Sequence, residues 1–395
     1  MHIIYVYFND LAAKTGDVPQ IFNMLHTFAK STEITFLSAW ASQHQINSRL
    51  SDFHLYKNFN QIRIPIKLIQ DWKFLERFTR AIYCLGAILF VRLHPKSIIY
   101  TRDFSFLYFL SLLPPFLRPK NQIYYEPHKI YHLSSSKVNI EQEQKALKIP
   151  HLFFPISKGI QVDLIQLFNI DNQRIEVASD GVDIKRFQTS KPNDAILLKE
   201  KYPFAANKKV IIYTGSFLEW KGVEVLVKAI KFIQSTDFCV LLIGGSPQKV
   251  NAINALCETE KVAHLVAVEG FVTQNKLIPL VRAATIAVIP NTKAVISQYY
   301  TSPLKVFEYM AVGLPIVASD LPSLREILTE KEHCLFFEAE NPRSLAEKLD
   351  FLLQNEIFCN QMRANNLLSV QKYDWQIRAD KILSTISMFN KPPSP

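Results

Sequence analysis

Residues 299–320 read Tyr299-Tyr300-Thr301-Ser302-Pro303-Leu304-Lys305-Val306-Phe307-Glu308-Tyr309-Met310-Ala311-Val312-Gly313-Leu314-Pro315-Ile316-Val317-Ala318-Ser319-Asp320, and this stretch decides the fold. Ser302 is a good N-cap, and Pro303 at the first helical position loses nothing by lacking an N–H. Gly313 can end the helix in a left-handed conformation, and Pro315 prevents its continuation. The pattern predicts a helix of about ten residues that runs straight into a buried strand. A helix followed at once by an apolar strand is the repeating unit of a parallel sheet with helices on both faces.

The same unit recurs on either side. An apolar strand at 209–213 leads into Thr214-Gly215-Ser216 and a helix beginning near Gly222. Further strands are predicted at 239–243, ending at Gly244-Gly245, and at 267–269, 286–289 and 315–318. The first half opens with a strand at 3–8 and a polar loop containing Gly16. A helix comes next, with Phe22, Leu25, His26 and Ala29 on one face; strands are then predicted at 33–37, 97–100, 122–125 and 152–155. The fold class is therefore α/β, with two Rossmann-like doubly wound parallel-sheet domains at 1–190 and 205–375. The boundary is placed in the polar segment 189–207. Two such domains are expected to face across a cleft, where loops and helix N-termini converge on a ligand. The tail from 390 to 395 is expected to fray.

Bulk properties fit this plan. A chain of 395 residues suits two domains, and 48% hydrophobic with 20% charged residues is a globular composition. The five cysteines (Cys84, Cys239, Cys257, Cys334, Cys359) are odd in number and scattered, which suits reduced thiols in a cytoplasmic protein. The first residues lack the features of a signal peptide. The longest apolar run, 81–91, is too short to span a bilayer. Residues 51–120 hold eleven Lys or Arg against four Asp or Glu, so they carry seven of the ten net positive charges. They are also rich in Phe, Trp, Leu and Ile. Peripheral contact with an anionic membrane and an ordinary solvated face are both compatible with this stretch. No nucleic acid is expected, because the stretch carries no recognised motif for it.

The start of the helix near Ser302 is where chemistry concentrates. Free backbone N–H groups and the positive end of the dipole make a phosphate site, to which Ser302 adds a hydroxyl. Lys305 lies in the first turn, with Glu308 one turn later on nearly the same face. A carboxylate so placed suits the hydroxyls of a ribose. Alternatively, Lys305 and Glu308 form a surface helix pair worth only about 0.2–0.5 kcal/mol, and spacing alone favours that.

This stretch resembles the nucleotide-sugar signature of the retaining glycosyltransferases of family 4, which have the GT-B fold. The resemblance implies that Glu308 binds the donor ribose. The family's second Glu, eight positions upstream, is replaced by Tyr300. Backbone N–H groups in Tyr299 to Ser302 are then expected to do part of the work of meeting the transferred sugar, with Tyr300, Thr301 and Ser302 as donor-binding residues. Tyr213-Thr214-Gly215-Ser216-Phe217-Leu218-Glu219-Trp220-Lys221-Gly222 is similar to the family's strand, loop and helix. In it the residue matching Lys221 contacts the donor diphosphate, although alone it reads as an exposed lysine. Ser216 stands where many members have Arg, and Lys305 is the candidate to supply the missing charge. Gly244 resembles the family's Gly-Gly turn. Phe271 resembles the base-holding segment, with a core aromatic as the alternative. Gly16 lies in the loop that approaches the donor in the family.

Tyr124-Tyr125-Glu126-Pro127-His128 resembles the family's "Y-E-x-H" segment, which implies that His128 lies near the transferred sugar or acceptor. A satisfied loop histidine is the alternative, with His132 as fallback. Trp375 with Arg378 resembles the closing segment, which implies that a last helix, 376–390, packs back onto the first domain. The resemblance thus implies a hexosyltransferase with catalytic His128, Lys221 and Glu308, using a UDP or GDP type of sugar. The acceptor would be a glycan or lipid-linked molecule in polysaccharide or glycolipid synthesis. With no Asp-x-Asp motif in the chain, neither metal nor cofactor is expected. Two alternatives stay open. One is a non-catalytic nucleotide-sugar binder that assists a partner enzyme; the other is a different GT-B enzyme, such as an epimerase or phosphorylase.

Overall fold

The computed structural model describes residues 1–8, 17–39, 43–53, 55–64, 73–134, 138–189 and 194–390. The chain divides into two units, Met1–Ser179 with Trp375–Pro395, and Asp180–Asp374.

The first unit is built on strands β1 (His2–Tyr7), β2 (Glu33–Ser38), β3 (Asn60–Arg63), β4 (Ile98–Thr101), β5 (Ile123–Tyr125) and β6 (Leu152–Phe153). They form one sheet in the order β3-β2-β1-β4-β5-β6, and every pairing is parallel. The second unit holds β7 (Lys209–Thr214), β8 (Phe238–Gly245), β9 (Val266–Gly270), β10 (Ile286–Ile289), β11 (Ile316–Ser319) and β12 (Cys334–Phe337). Its order is β12-β11-β10-β7-β8-β9, the same winding repeated. Successive strands leave the centre in opposite directions, so a switch point lies between β1 and β4, and another between β7 and β10. In doubly wound sheets the loops beyond such a point diverge and leave room for a ligand.

One edge strand of each sheet, β3 and β12, escapes the sequence reading. β3 is Asn60-Gln61-Ile62-Arg63, mostly exposed, with no apolar run to mark it. β12 is a four-residue apolar run behind a charged stretch, too short for periodicity to separate strand from helix.

The chain passes into the second unit at Ser179 and Asp180, ahead of the polar segment 189–207. The residues beyond that passage belong to the second unit's core: Ile184, Phe187, Leu198, Tyr202 and Ala205 are all buried in it. Asp194 ties the segment to Arg282 at 2.9 Å. Helix Trp375–Phe389 closes the chain within the first unit, beside helix Asp17–Ser31. All five cysteines are free thiols, and burial raises each above its ordinary pKa.

Candidate functional site

In the second unit, β7 ends at Thr214 and the chain turns through Gly215, where φ is +134°. A Cβ at Gly215 would stand 2.3 Å from Nζ of Lys305. Only a residue without a side chain lets that ammonium lie against the turn. Lys305 is 7% exposed, and its Nζ has no hydrogen-bond partner among the described residues. It sits 4.0 Å from the centroid of the Tyr213 ring. Burial and the neighbouring charge of Lys221 hold the ammonium well below the usual lysine range, and Glu308 offsets this only in part. The surface pair with Glu308, open as the alternative, does not form. A buried amine with no described hydrogen-bond partner is costly to the fold and suits a site whose ligand brings a negative charge.

Lys221 lies in the 3-10 turn Glu219–Lys221, half-buried, with Nζ 3.7 Å from the Trp220 ring centroid. No described carboxylate pairs with it, and desolvation brings its ammonium down to about 7. The turn is pinned from β10's side. The Trp220 carbonyl accepts from the Thr292 N–H at 3.0 Å and from the Ser297 hydroxyl at 2.8 Å. Gly222 closes the turn at φ +64°, and a Cβ there would lie 1.9 Å from the Pro290 carbonyl oxygen. No other residue fits that position without moving the backbone.

Helix Leu304–Ala311 differs from its expected start. Pro303 takes the N-cap place and no side chain caps the helix. Ser302 is not the cap, because its Oγ accepts the Asp180 backbone N–H at 2.9 Å. That partner is 122 residues away, so nothing local announces it. Thr301 and Ser302 are both buried, and the first N–H groups of the helix have no capping side chain. The Tyr300 N–H is not among them, since it donates to the Ile296 carbonyl at 3.2 Å. The helix stops where the sequence predicts: Gly313 has φ +72°, and the Leu314 N–H reaches back to the Tyr309 carbonyl at 2.9 Å.

Glu308 is half-buried and accepts from the Gln274 amide at 3.2 Å. Desolvation raises its carboxyl above the ordinary range, against the lowering effects of that hydrogen bond, Lys305 and Arg186. Gln274 and Arg186 are neighbours that the sequence alone does not single out. Gly244 packs so closely on the turn that a Cβ would come 2.6 Å from the Gly215 carbonyl oxygen. Ser216 is exposed, and its carbonyl accepts from the Tyr213 hydroxyl at 2.8 Å. Phe271 is 42% exposed just beyond β9, so it is not a core aromatic.

In the first unit, His128 is partly exposed at the end of β5, with both ring nitrogens engaged. Nε2 is 2.7 Å from Glu126 Oε1, and Nδ1 is 3.1 Å from the Arg102 guanidinium. Burial foremost, helped by the charge of Arg102, lowers the imidazole to about 4, so it is neutral near pH 7. Glu126 is fully buried and bonded to Arg378 at 3.0 Å. Arg102 escapes the sequence reading; its place directly after β4, beside the first switch point, is the signal that could have found it. His132 is tied to Glu143 at 2.8 Å and is not at this cluster. Gly16 lies outside the described residues. Among the described residues, no group of three or more His, Cys, Asp or Glu is gathered as for a metal ion.

Residues 208–355 match the family model described as glycosyl transferases group 1, and they include Gly215, Lys221, Lys305 and Glu308. The second unit is a group 1 glycosyltransferase domain. An uncharacterized glycosyltransferase of Methanocaldococcus jannaschii is 27% identical over 222 residues, 56% of this chain and 55% of its own. A D-inositol 3-phosphate glycosyltransferase of Xylanimonas cellulosilytica is 26% identical over 234 residues, 58% of this chain and 55% of its own. The chain thus spans about half the length of the curated relatives it matches. The crystal structure of Anabaena HepE in complex with UDP is similar in fold, with a TM-score of 0.77 over 98% of this chain and 100% of that one, at 15% identity. Two parallel-sheet units of this winding, together with that likeness, make the fold GT-B. In this glycosyltransferase domain Lys221, Lys305 and Glu308 are brought together; His128 belongs to the other unit.

Proposed function

We propose that the protein is a retaining glycosyltransferase that takes a sugar from a UDP or GDP sugar. The observation that carries the reading is the pair of neighbouring lysines, Lys221 and Lys305, neither of which forms an ion pair with a described carboxylate. Two ammonium groups beside an uncapped helix start suit a diphosphate, whose negative charge grows as it leaves. Lys305 takes over the charge that Arg supplies in relatives where Ser216 stands here. Glu308 receives the ribose hydroxyls, and Phe271 offers its exposed ring to the base. The bond from the anomeric carbon to the diphosphate breaks as the acceptor oxygen attacks on the same face. The acceptor's proton passes to the departing phosphate oxygen. No metal is assigned a step, because the lysines stabilise the leaving group.

Lys221→Ala and Glu308→Ala are each expected to abolish transfer while leaving the circular dichroism spectrum unchanged. The assay supplies a panel of UDP, GDP and ADP sugars with lipid extract as acceptor. Full activity in both variants would sink the reading. Binding of a donor that never turns over would instead favour the non-catalytic alternative.

The acceptor we propose is a lipid-linked glycan at the inner face of a membrane. Helix Lys73–Arg92 supports this. It buries Tyr83, Cys84, Ala87, Ile88 and Val91, yet also exposes Phe78, Ile82, Leu85 and Leu89 along one stripe. Phe116 stands 78% exposed on the adjoining segment, which Arg92 bridges by donating to the Leu117 carbonyl at 3.1 Å. Exposed apolar side chains on segments that also carry Arg92, Lys96, Arg118 and Lys120 suit an anionic bilayer. No described helix is long and apolar enough to cross one. Sedimentation with anionic liposomes at low salt is expected for the wild type and lost in Leu89→Glu/Phe116→Glu. Equal sedimentation of both proteins would refute the surface.

A further inference from the structure

His128 sits between two side chains whose hydrogen-bonding roles cannot be exchanged. A carboxylate only accepts and a guanidinium only donates. Glu126 Oε1 lies 2.7 Å from Nε2, so that nitrogen carries the proton. The Arg102 guanidinium lies 3.1 Å from Nδ1, so that nitrogen presents its lone pair. The Gln20 amide, 3.4 Å from Nε2, already donates to Glu126 at 2.6 Å.

Each of these partners is itself held. Glu126 also accepts from the Tyr100 hydroxyl and from Arg378 at 3.0 Å. Arg378 is 5% exposed and anchored by donating to the Ser179 carbonyl at 3.0 Å and the Ala178 carbonyl at 3.2 Å. Arg102 donates to Gln20 and lies 5.7 Å over the Tyr7 ring. Glu126, Arg102 and Arg378 are the charged groups whose fields His128 feels, and Tyr100 is the titratable hydroxyl on the same carboxylate. A carboxylate with no exposed surface stays an acceptor only while its charge is compensated, and Arg378 on the last helix is the largest such contribution.

We propose that Glu126 and Arg102 are positioning residues that lock His128 as its neutral Nε2–H tautomer, with Arg378 of the closing helix keeping Glu126 ionised. His128 is then a fixed hydrogen-bonding group rather than a proton carrier. That His128 meets the transferred sugar or acceptor rests on the function proposed above; the tautomer does not.

Long-range proton–nitrogen spectra of the full chain, labelled at histidine, test the lock. The His128 signals are assigned by their loss in His128→Gln. The expected result is the Nε2–H pattern, unchanged between about pH 5 and 8. The Nδ1–H pattern, or a midpoint near the ordinary 6.5, would overturn the proposal. Arg102→Met, on a partly exposed side chain, should move the midpoint up from about 4 toward 6.5. It should also lower kcat with donor KM unchanged, and Arg102→Lys should restore part of kcat. An Arg102→Met protein with the wild-type histidine spectrum and titration would remove Arg102 from the lock. A wild type that shows the tautomer but transfers no sugar would fault the proposed function and leave the lock standing.

Discussion

Replacing Lys305 by Met is expected, at the proposed donor site, to weaken UDP binding by about 10- to 100-fold, the worth of one charge-assisted contact of about 1.5–3 kcal/mol. The same change should raise the melting temperature of the free protein. The two effects have one cause. In the folded protein the amine is buried with no hydrogen-bond partner among the described residues, so folding strips its water, and the Tyr213 ring and Glu308 return only part of that. Its pKa is depressed, so between that lowered value and 10.5 the unfolded chain binds the proton more firmly. Wild-type stability at this group therefore rises with pH across that window, and the Met variant lacks the rise. Met is unbranched and one heavy atom shorter, so it fills most of the same space beside Tyr213 without the charge. Thermal unfolding with and without UDP, the nucleotide held in the Anabaena structure, checks both halves. A lower melting temperature together with unchanged UDP affinity would show that Lys305 is a structural lysine.

Arg378→Met is expected to cost about 3–5 kcal/mol of stability near neutral pH, as removal of one partner from a buried ion pair does. The change takes from Glu126, which has no exposed surface, its largest compensating charge, and it leaves the Ala178 and Ser179 carbonyls without the Arg378 donor. The sign of the pH dependence distinguishes this from simple loss of packing. In the wild type the Glu126 carboxyl is held well below 4.5, chiefly by Arg378 against desolvation. Its contribution is therefore present above 4.5 and lost only as pH falls through the lower folded value. Without Arg378 the carboxyl rises, takes up a proton on mild acidification and relieves the variant. The gap between the two proteins in urea unfolding should shrink as pH falls from 7 toward 5. A gap that stays constant would place the cost in the side chain's packing.

The two effects stand on different footings in the sequence. Apart from β3 and β12, the strands announce themselves as apolar runs between turn signals, and the doubly wound plan comes from their alternation with helices. β3 is legible only through its neighbour β2, because an exposed edge strand needs no apolar face. The helix stop at Gly313 is local chemistry, and the residues around it suffice to place it. The start at Ser302 is not local, because its hydroxyl is claimed by the Asp180 N–H from far along the chain.

The candidate site divides in the same way. Which residue types stand at strand ends and helix starts is written in the chain itself: the Gly215 turn, Lys221, Lys305, Glu308 and the Glu126-x-His128 pair. Local spacing could not decide what each side chain faces. Lys305 and Glu308 lie one turn apart and spacing favours a surface pair, yet folding turns Lys305 under Gly215 and against Tyr213. His128 is neutral because Arg102, from the end of β4, and Arg378, from the last helix, add their charges to its burial. Electrostatics and desolvation depend on distance in space, so these roles exist only once the strands are laid side by side.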